Sequence, residues 1–160
     1  MKSVWWKCSL GHSWKAKIYE RTVEERGCPI CEQEYRSVFP QLAVSYYAGS
    51  KGLQVRLNTD AEIGLSLETY IVNESLAIES EVLSEEKERL KAYICSKQGI
   101  KLLKLSYKAN EREIEYICKI KKAFKSVHIF IFSDEQEDAA IIRKRFEEWR
   151  KQIYQSKEME

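Results

Sequence analysis

Two short clusters of cysteine and histidine near the start of the chain constrain it more than any other feature. Cys8-x3-His12 is followed, after an interval of fifteen residues, by Cys28-x2-Cys31. Two such pairs supply four soft or borderline donors, the set that a tetrahedral zinc ion takes. Gly11 lets the first loop curl back before His12, and Pro29 stiffens the turn between the second pair of thiols. Four protein ligands leave no open coordination position, so the expected ion is structural rather than catalytic. A segment of about 35 residues buries too little apolar surface to fold alone, and a metal is the expected staple.

The remaining composition limits what surrounds this site. The chain has 160 residues, enough for one modest domain beyond the zinc segment. Five cysteines is an odd number, and three of them belong to the metal pattern. A disulfide framework is therefore not expected, and a reducing cytoplasm is. Lys and Arg number 27 against 25 Asp and Glu, a net charge of +2 that neither demands nor excludes a nucleic-acid partner. No stretch reaches the roughly 18 apolar residues of a membrane span, so no membrane partner is expected. Met1 to Lys7 also lacks the apolar run of a signal peptide.

Periodicity supplies a coarse order of elements. Between the two metal pairs, Trp14, Ala16 and Ile18 alternate with Lys15, Lys17 and Tyr19, as in a hairpin. Residues 32–37 read as a polar linker, and Pro40 opens a helix that ends near 48–52. Leu53, Val55 and Leu57 alternate as a strand, with a turn at 58–60. Ile63, Leu65, Leu67, Thr69 and Ile71 predict one face of the next strand. With a turn between Asn73 and Glu74, facing residues sum to 147, which sets Glu68 beside Glu79 with Glu81 one step along.

Ser84 opens a helix whose apolar stripe is Leu90, Tyr93 and Ile94, and Gly99 stops it. Residues 100–105 form a strand and 111–124 a helix. Residues 127–132 are a near-continuous apolar run and predict a buried strand that contains His128. A last helix from Asp134 carries the stripe Ala139, Ile142, Phe146, Trp149 and Ile153, with a fraying tail beyond Gln155.

Three glutamates on one face of a hairpin repel one another and need neutralising by a divalent cation, a lysine or open solvent. Carboxylate oxygens at that density suit Mg2+ or Mn2+, and a cation there could activate water against a phosphodiester. A solvated sheet face is the other reading of Glu68, Glu79 and Glu81. Trp5, Trp6 and Trp14 either stack on bases or pack the zinc module. Lys119, Lys121, Lys122 and Lys125 are either a phosphate-binding run or a solvated helix face, and Cys95 and Cys118 read as core.

Two resemblances add to this. Trp6-x-Cys8-x2-Gly11-His12-x-Trp14, then Arg21 and Cys28-Pro29-x-Cys31, resembles the bacterial treble-clef zinc-ribbon family. The order helix, strand, acidic hairpin, helix, strand resembles the restriction-endonuclease-like fold. Residues 38–106 are similar to the very-short-patch-repair-type nuclease domain through Leu67–Ile71, Ala77–Val82 and Gly99–Leu103, with Lys91 at a helix position where that family often has a lysine.

The departures are specific. Glu68 stands where that family has its metal-binding aspartate, Glu81 replaces a second aspartate, Val82 a glycine and Gln41 a glutamate. The resemblances imply a mixed α/β (α+β) chain in two parts, a zinc module over residues 1–36 and a restriction-endonuclease-like domain over 37–156, its sheet flanked by helices. They imply a DNA partner and an endonuclease, active or degenerate, in which Glu68, Glu79 and Glu81 hold Mg2+ or Mn2+. The rival expectation is a non-enzymatic zinc-stapled module that docks nucleic acid or protein.

Overall fold

A computed structural model describes residues 2–60 and 66–158 of the chain. Two sheets and five helices make it a mixed α/β fold. Strands β1 (Ser3–Lys7) and β2 (Ser13–Lys17) pair antiparallel as a two-stranded ribbon, with Trp5 opposite Lys15 and Trp6 opposite Trp14. Ile18 does not continue the ribbon. It opens the short helix α1 (Ile18–Thr22), where Glu20 accepts a hydrogen bond from the Lys17 backbone amide at 2.9 Å and caps the new turn.

Helix α2 (Pro29–Ser50) overturns the expected linker at 32–37. It starts at Pro29, a residue preset for the first helical position, and runs through Pro40. An internal proline costs about 3 kcal/mol in an isolated helix. Burial offsets that cost here, because Phe39, Pro40, Ala43, Val44, Tyr47 and Ala48 all lie in the interior. One continuous rod therefore runs from the second cysteine pair into the core of the larger sheet.

That sheet has the order β3-β4-β5-β6, from β3 (Val55–Asp60), β4 (Ser66–Ile71), β5 (Leu76–Glu79) and β6 (Lys101–Lys104). The turn expected at 58–60 belongs to β3, and Ile63 and Leu65 lie outside the described residues. The pairs Thr69–Ile78, Tyr70–Ala77 and Ile71–Leu76 carry the register read from the sequence. Helix α3 (Glu85–Lys97) is the crossover that brings β6 parallel to β5, with Gly99 in the left-handed region at φ +69 ending the link.

Both faces of the sheet are covered. On one face Ile71 and Ile78 join Phe39 and Tyr47 of α2, Ile117 and Phe124 of α4 (Glu113–Lys125), and Ile142 of α5 (Glu135–Glu158). On the other, Ala77 and Ile100 pack with Cys95 of α3. The inward side of α3 is thus Cys95, with Lys91 and Ile94 half-buried, while Leu90 and Tyr93 of the expected stripe are exposed. The stripe of α5 is as read, with Ala139, Ile142 and Phe146 buried, and the tail beyond Gln155 stays helical to Glu158.

Residues 127–132 form no strand. Val127 and His128 close the turn that ends α4, with their amides donating to the Phe124 and Lys125 carbonyls at 3.0 Å each, and 129–132 lead on to α5. Val127, Ile129 and Ile131 pack on the core, and His128, Phe130 and Phe132 face outward, with His128 at φ +63. A short apolar run does not separate a two-faced strand from a one-faced connector, and this one alternates.

Candidate metal centre and acidic cleft

The ribbon and α2 build one half of the metal centre each. Cys8 and His12 sit at the tip between β1 and β2, where the Cys8 amide donates to the His12 carbonyl at 3.0 Å and Gly11, at φ +87, makes the tight return. Cys28 is the residue that precedes α2, and Cys31 lies in its first turn. The four donor atoms all lie within 4.8 Å of one another.

Ligands of a tetrahedral zinc ion stand about 3.5 to 3.8 Å apart, from bond lengths of about 2.0 to 2.3 Å. Cys8 Sγ lies 3.8 Å from Cys31 Sγ, and His12 Nδ1 lies 3.3 Å from Cys31 Sγ and 3.7 Å from Cys28 Sγ. The donor set and its dimensions fit zinc, with His12 presenting Nδ1. Burial and the crowding of Cys28 and Cys8 push the Cys31 thiol up to about 12. Burial acts the same way on Cys8, but hydrogen bonds from the backbone at Leu10 and His12 outweigh it and lower that thiol. A dication relieves the crowding by taking the thiols as thiolates.

Aromatic and basic side chains frame the centre. Trp6 and Trp14 turn inward, and the Arg21 guanidinium lies 5.4 Å and 5.7 Å from their ring centroids. Arg21 also donates to the Arg26 carbonyl, just ahead of Cys28. Of the three tryptophans, two pack the module and Trp5 alone is open, at 72% exposure. The outer nitrogen of His12, Nε2, is 2.9 Å from the Tyr154 hydroxyl of α5.

Residues 1–34 match the family model described as a probable treble clef zinc finger domain. That match covers the ribbon, its knuckle and the first turns of α2, and it agrees with the four-ligand site. No curated protein and no solved structure matches the chain.

The acidic hairpin lies at an open cleft of about 560 Å³ between α2 and the sheet, lined by Gln41, Glu68, Glu79, Ser80, Glu81 and Lys91 among others. Glu68 and Glu79 lie side by side, as the register requires. Their oxygens are already engaged. Glu79 is buried, accepts from the Glu68 amide at 2.9 Å, and pairs with Lys91 Nζ at 2.8 Å. Glu68 accepts from the backbone amides of Ser80 at 2.8 Å and Glu81 at 3.2 Å, and from the Ser80 hydroxyl.

Of the three neutralisers open to this cluster, the lysine is the one that the fold supplies. Glu81 is exposed at the rim. Among the described residues, the four zinc ligands are the one group of three or more metal-capable side chains drawn together within 4.8 Å.

Sequence patterns missed two contacts, Lys91 with Glu79 and Tyr154 with His12. Lys91 is two turns into α3 and half-buried, which the weak apolar pattern of that helix hid. Tyr154 follows Ile153 on the α5 stripe, but only the packing of α5 against α2 brings it to the knuckle. No described helix is long and apolar enough to cross a membrane.

Proposed function

We propose that this chain is a zinc-stapled nucleic-acid-binding protein, with DNA the expected polymer, and that its second domain keeps an endonuclease-like cleft in a form that does not hydrolyse. The observation that carries this reading is the outer face of the ribbon. Ser3, Trp5 and Lys7 of β1 and Ser13, Lys15 and Lys17 of β2 are all exposed on that face. Antiparallel pairing puts Trp5 directly across from Lys15 and Lys17 across from Ser3. Lys7, Lys15 and Lys17 have no carboxylate partner among the described residues. A row of unpaired ammonium groups beside an open indole suits phosphates strung along bases.

The cleft supports the non-hydrolytic half of the reading. A cation held by Glu68, Glu79 and Glu81 would have to displace Lys91 from Glu79 and strip hydrogen bonds from Glu68. The lengthened side chains at 68 and 81 and the uncharged Gln41 weaken the site further relative to the nuclease family it resembles.

A second reading, a divalent-metal-dependent phosphodiester hydrolase, is favoured by one observation: Glu68, Glu79 and Lys91 line the same open cleft. In that reading the three glutamates hold Mg2+ or Mn2+, and Lys91 steadies the phosphate once released.

Anisotropy titration of fluorescein-labelled DNA tests the first reading. Parent protein binds with log affinity falling against log salt at a slope of about −3, from three phosphate contacts. Lys15→Glu with Lys17→Glu removes most of that affinity while zinc content stays at one per chain. Absence of salt-dependent binding refutes the reading. Nicking of supercoiled plasmid in Mg2+ or Mn2+ that disappears in Glu79→Ala establishes the hydrolase instead.

A further inference from the structure

We infer that the connector between α4 and α5 is a second nucleic-acid contact, a stacking platform for the unpaired bases of a single strand. This rests on the nucleic-acid-binding reading above. It comes from a different part of the molecule. Phe132 is 91% exposed and Phe130 46% exposed. Full burial of a phenylalanine is worth about 1.5–3 kcal/mol, and nothing else in the fold recovers it here.

The two rings are parallel to within 10°, with centroids 6.3 Å apart. That spacing is close to the roughly 6.6 Å by which residues two apart advance along an extended chain. Successive aromatic rungs at this interval present flat faces at a pitch that matches bases splayed along a strand. Duplex DNA hides its base faces in the stack, so open rings of this kind select unpaired bases.

Charge identifies the partner as an anion. Phe130 and Phe132 line a shallow cleft of about 320 Å³ together with Lys122 and Lys125 of α4. Two of the four lysines in that run are engaged: Lys119 pairs with Glu111 at 2.5 Å, and Lys121 bridges Glu135 at 3.2 Å and Asp138 at 3.3 Å. Lys122 and Lys125 have no carboxylate partner among the described residues. Glu135, the acidic group at the cleft, is neutralised by Lys121. What remains is two parallel aromatic rings beside two unpaired cations, complementary to bases linked by phosphates.

The test uses the full-length zinc-loaded chain and a fluorescein-labelled oligothymidylate, with a hairpin duplex of equal charge as comparison. The expected result is tighter binding to the single strand. Phe130→Ala and Phe132→Ala each weaken it by about tenfold. Lys122→Gln with Lys125→Gln flattens the salt slope by about 1.4. Phe132→Leu stays apolar but cannot stack, and it loses affinity as Phe132→Ala does. Because these side chains are exposed, circular dichroism and zinc content match the parent.

If ribbon variants lose oligothymidylate binding and the phenylalanine variants keep it, the platform is refuted and the broader reading stands. If the parent binds neither strand form, both fall. Binding to phosphatidylserine vesicles, or self-association, that the phenylalanine variants abolish while oligothymidylate affinity is unchanged assigns the patch to another partner and overturns the platform.

Discussion

Tyr154, six residues from the end of the chain, places its hydroxyl 2.9 Å from Nε2 of His12, with Glu34 Oε1 a further 3.4 Å from the same hydroxyl. The rings meet edge-on at 67°. His12 faces the thiols through Nδ1; with a zinc ion held on Nδ1, Nε2 would carry the proton and donate to the tyrosine. An outer partner of this kind fixes the ring's tautomer and orientation, and its loss weakens metal binding by about 10- to 100-fold. We predict that Tyr154→Phe keeps one zinc per chain but loses affinity by about tenfold in a competitive chelator titration. An unchanged affinity would show that the hydroxyl only packs there.

Lys91 and Glu79 form the most enclosed ion pair at the cleft, with side chains 12% and 8% exposed. Removing one partner leaves the other charge buried and uncompensated, which costs about 3–5 kcal/mol. We predict that Lys91→Met lowers the melting temperature by about 10 °C, and that adding Glu79→Leu restores much of it. The same variant reports on cation binding. If Mg2+ raises the melting temperature of Lys91→Met and leaves the parent unmoved, the carboxylates retain a metal site that the lysine occupies.

How much of this was legible depended on whether the signal was local. Cys8, His12, Cys28 and Cys31 announce themselves because metal geometry dictates ligand type and spacing. The 147 register was legible because a tight turn at 73–74 leaves one alignment that sets Thr69 opposite Ile78 and Ile71 opposite Leu76 on one apolar face. The helix through Pro40 was not, since only tertiary burial of Phe39 and Val44 overrides the proline penalty. Nor was the open connector at 127–132. Its apolar residues suit a central strand equally well, and only the lack of a ladder partner among the described residues separates the two.

Asp138 is 1% exposed at the start of α5 and receives the hydroxyls of Tyr47 at 2.7 Å and Ser133 at 2.6 Å, with Lys121 at 3.3 Å. Burial works against its charge, but hydrogen bonds from Ser133, Tyr47 and Lys121 outweigh burial and hold the carboxyl below its ordinary value of 3.8. A carboxyl depressed in the folded state stabilises it above the ordinary value, and that contribution fades as pH falls through the folded value. We predict that Asp138→Asn costs about 3 kcal/mol near neutral pH. In urea titrations the gap between parent and variant narrows below pH 3.8, the ordinary value from which Asp138 is depressed. A gap that widens with acidity would contradict this.

Arg21 is, among the described residues, the one cation set over the inward tryptophans, with its guanidinium 5.4 Å from the Trp6 centroid and 5.7 Å from that of Trp14. Cation–π contacts contribute about 0.5–2 kcal/mol depending on desolvation. Arg21 does a second task that lysine cannot copy, because its planar fork reaches the Arg26 carbonyl while still lying against the rings. That carbonyl belongs to the strand of chain that delivers Cys28 to the metal. Arg21→Lys keeps the charge and loses the fork. We predict that it releases zinc to a chromophoric chelator several-fold faster than the parent, at equal starting stoichiometry, while the unfolding of the larger sheet is unchanged. Equal release rates would mean that the tryptophans alone hold the knuckle in place.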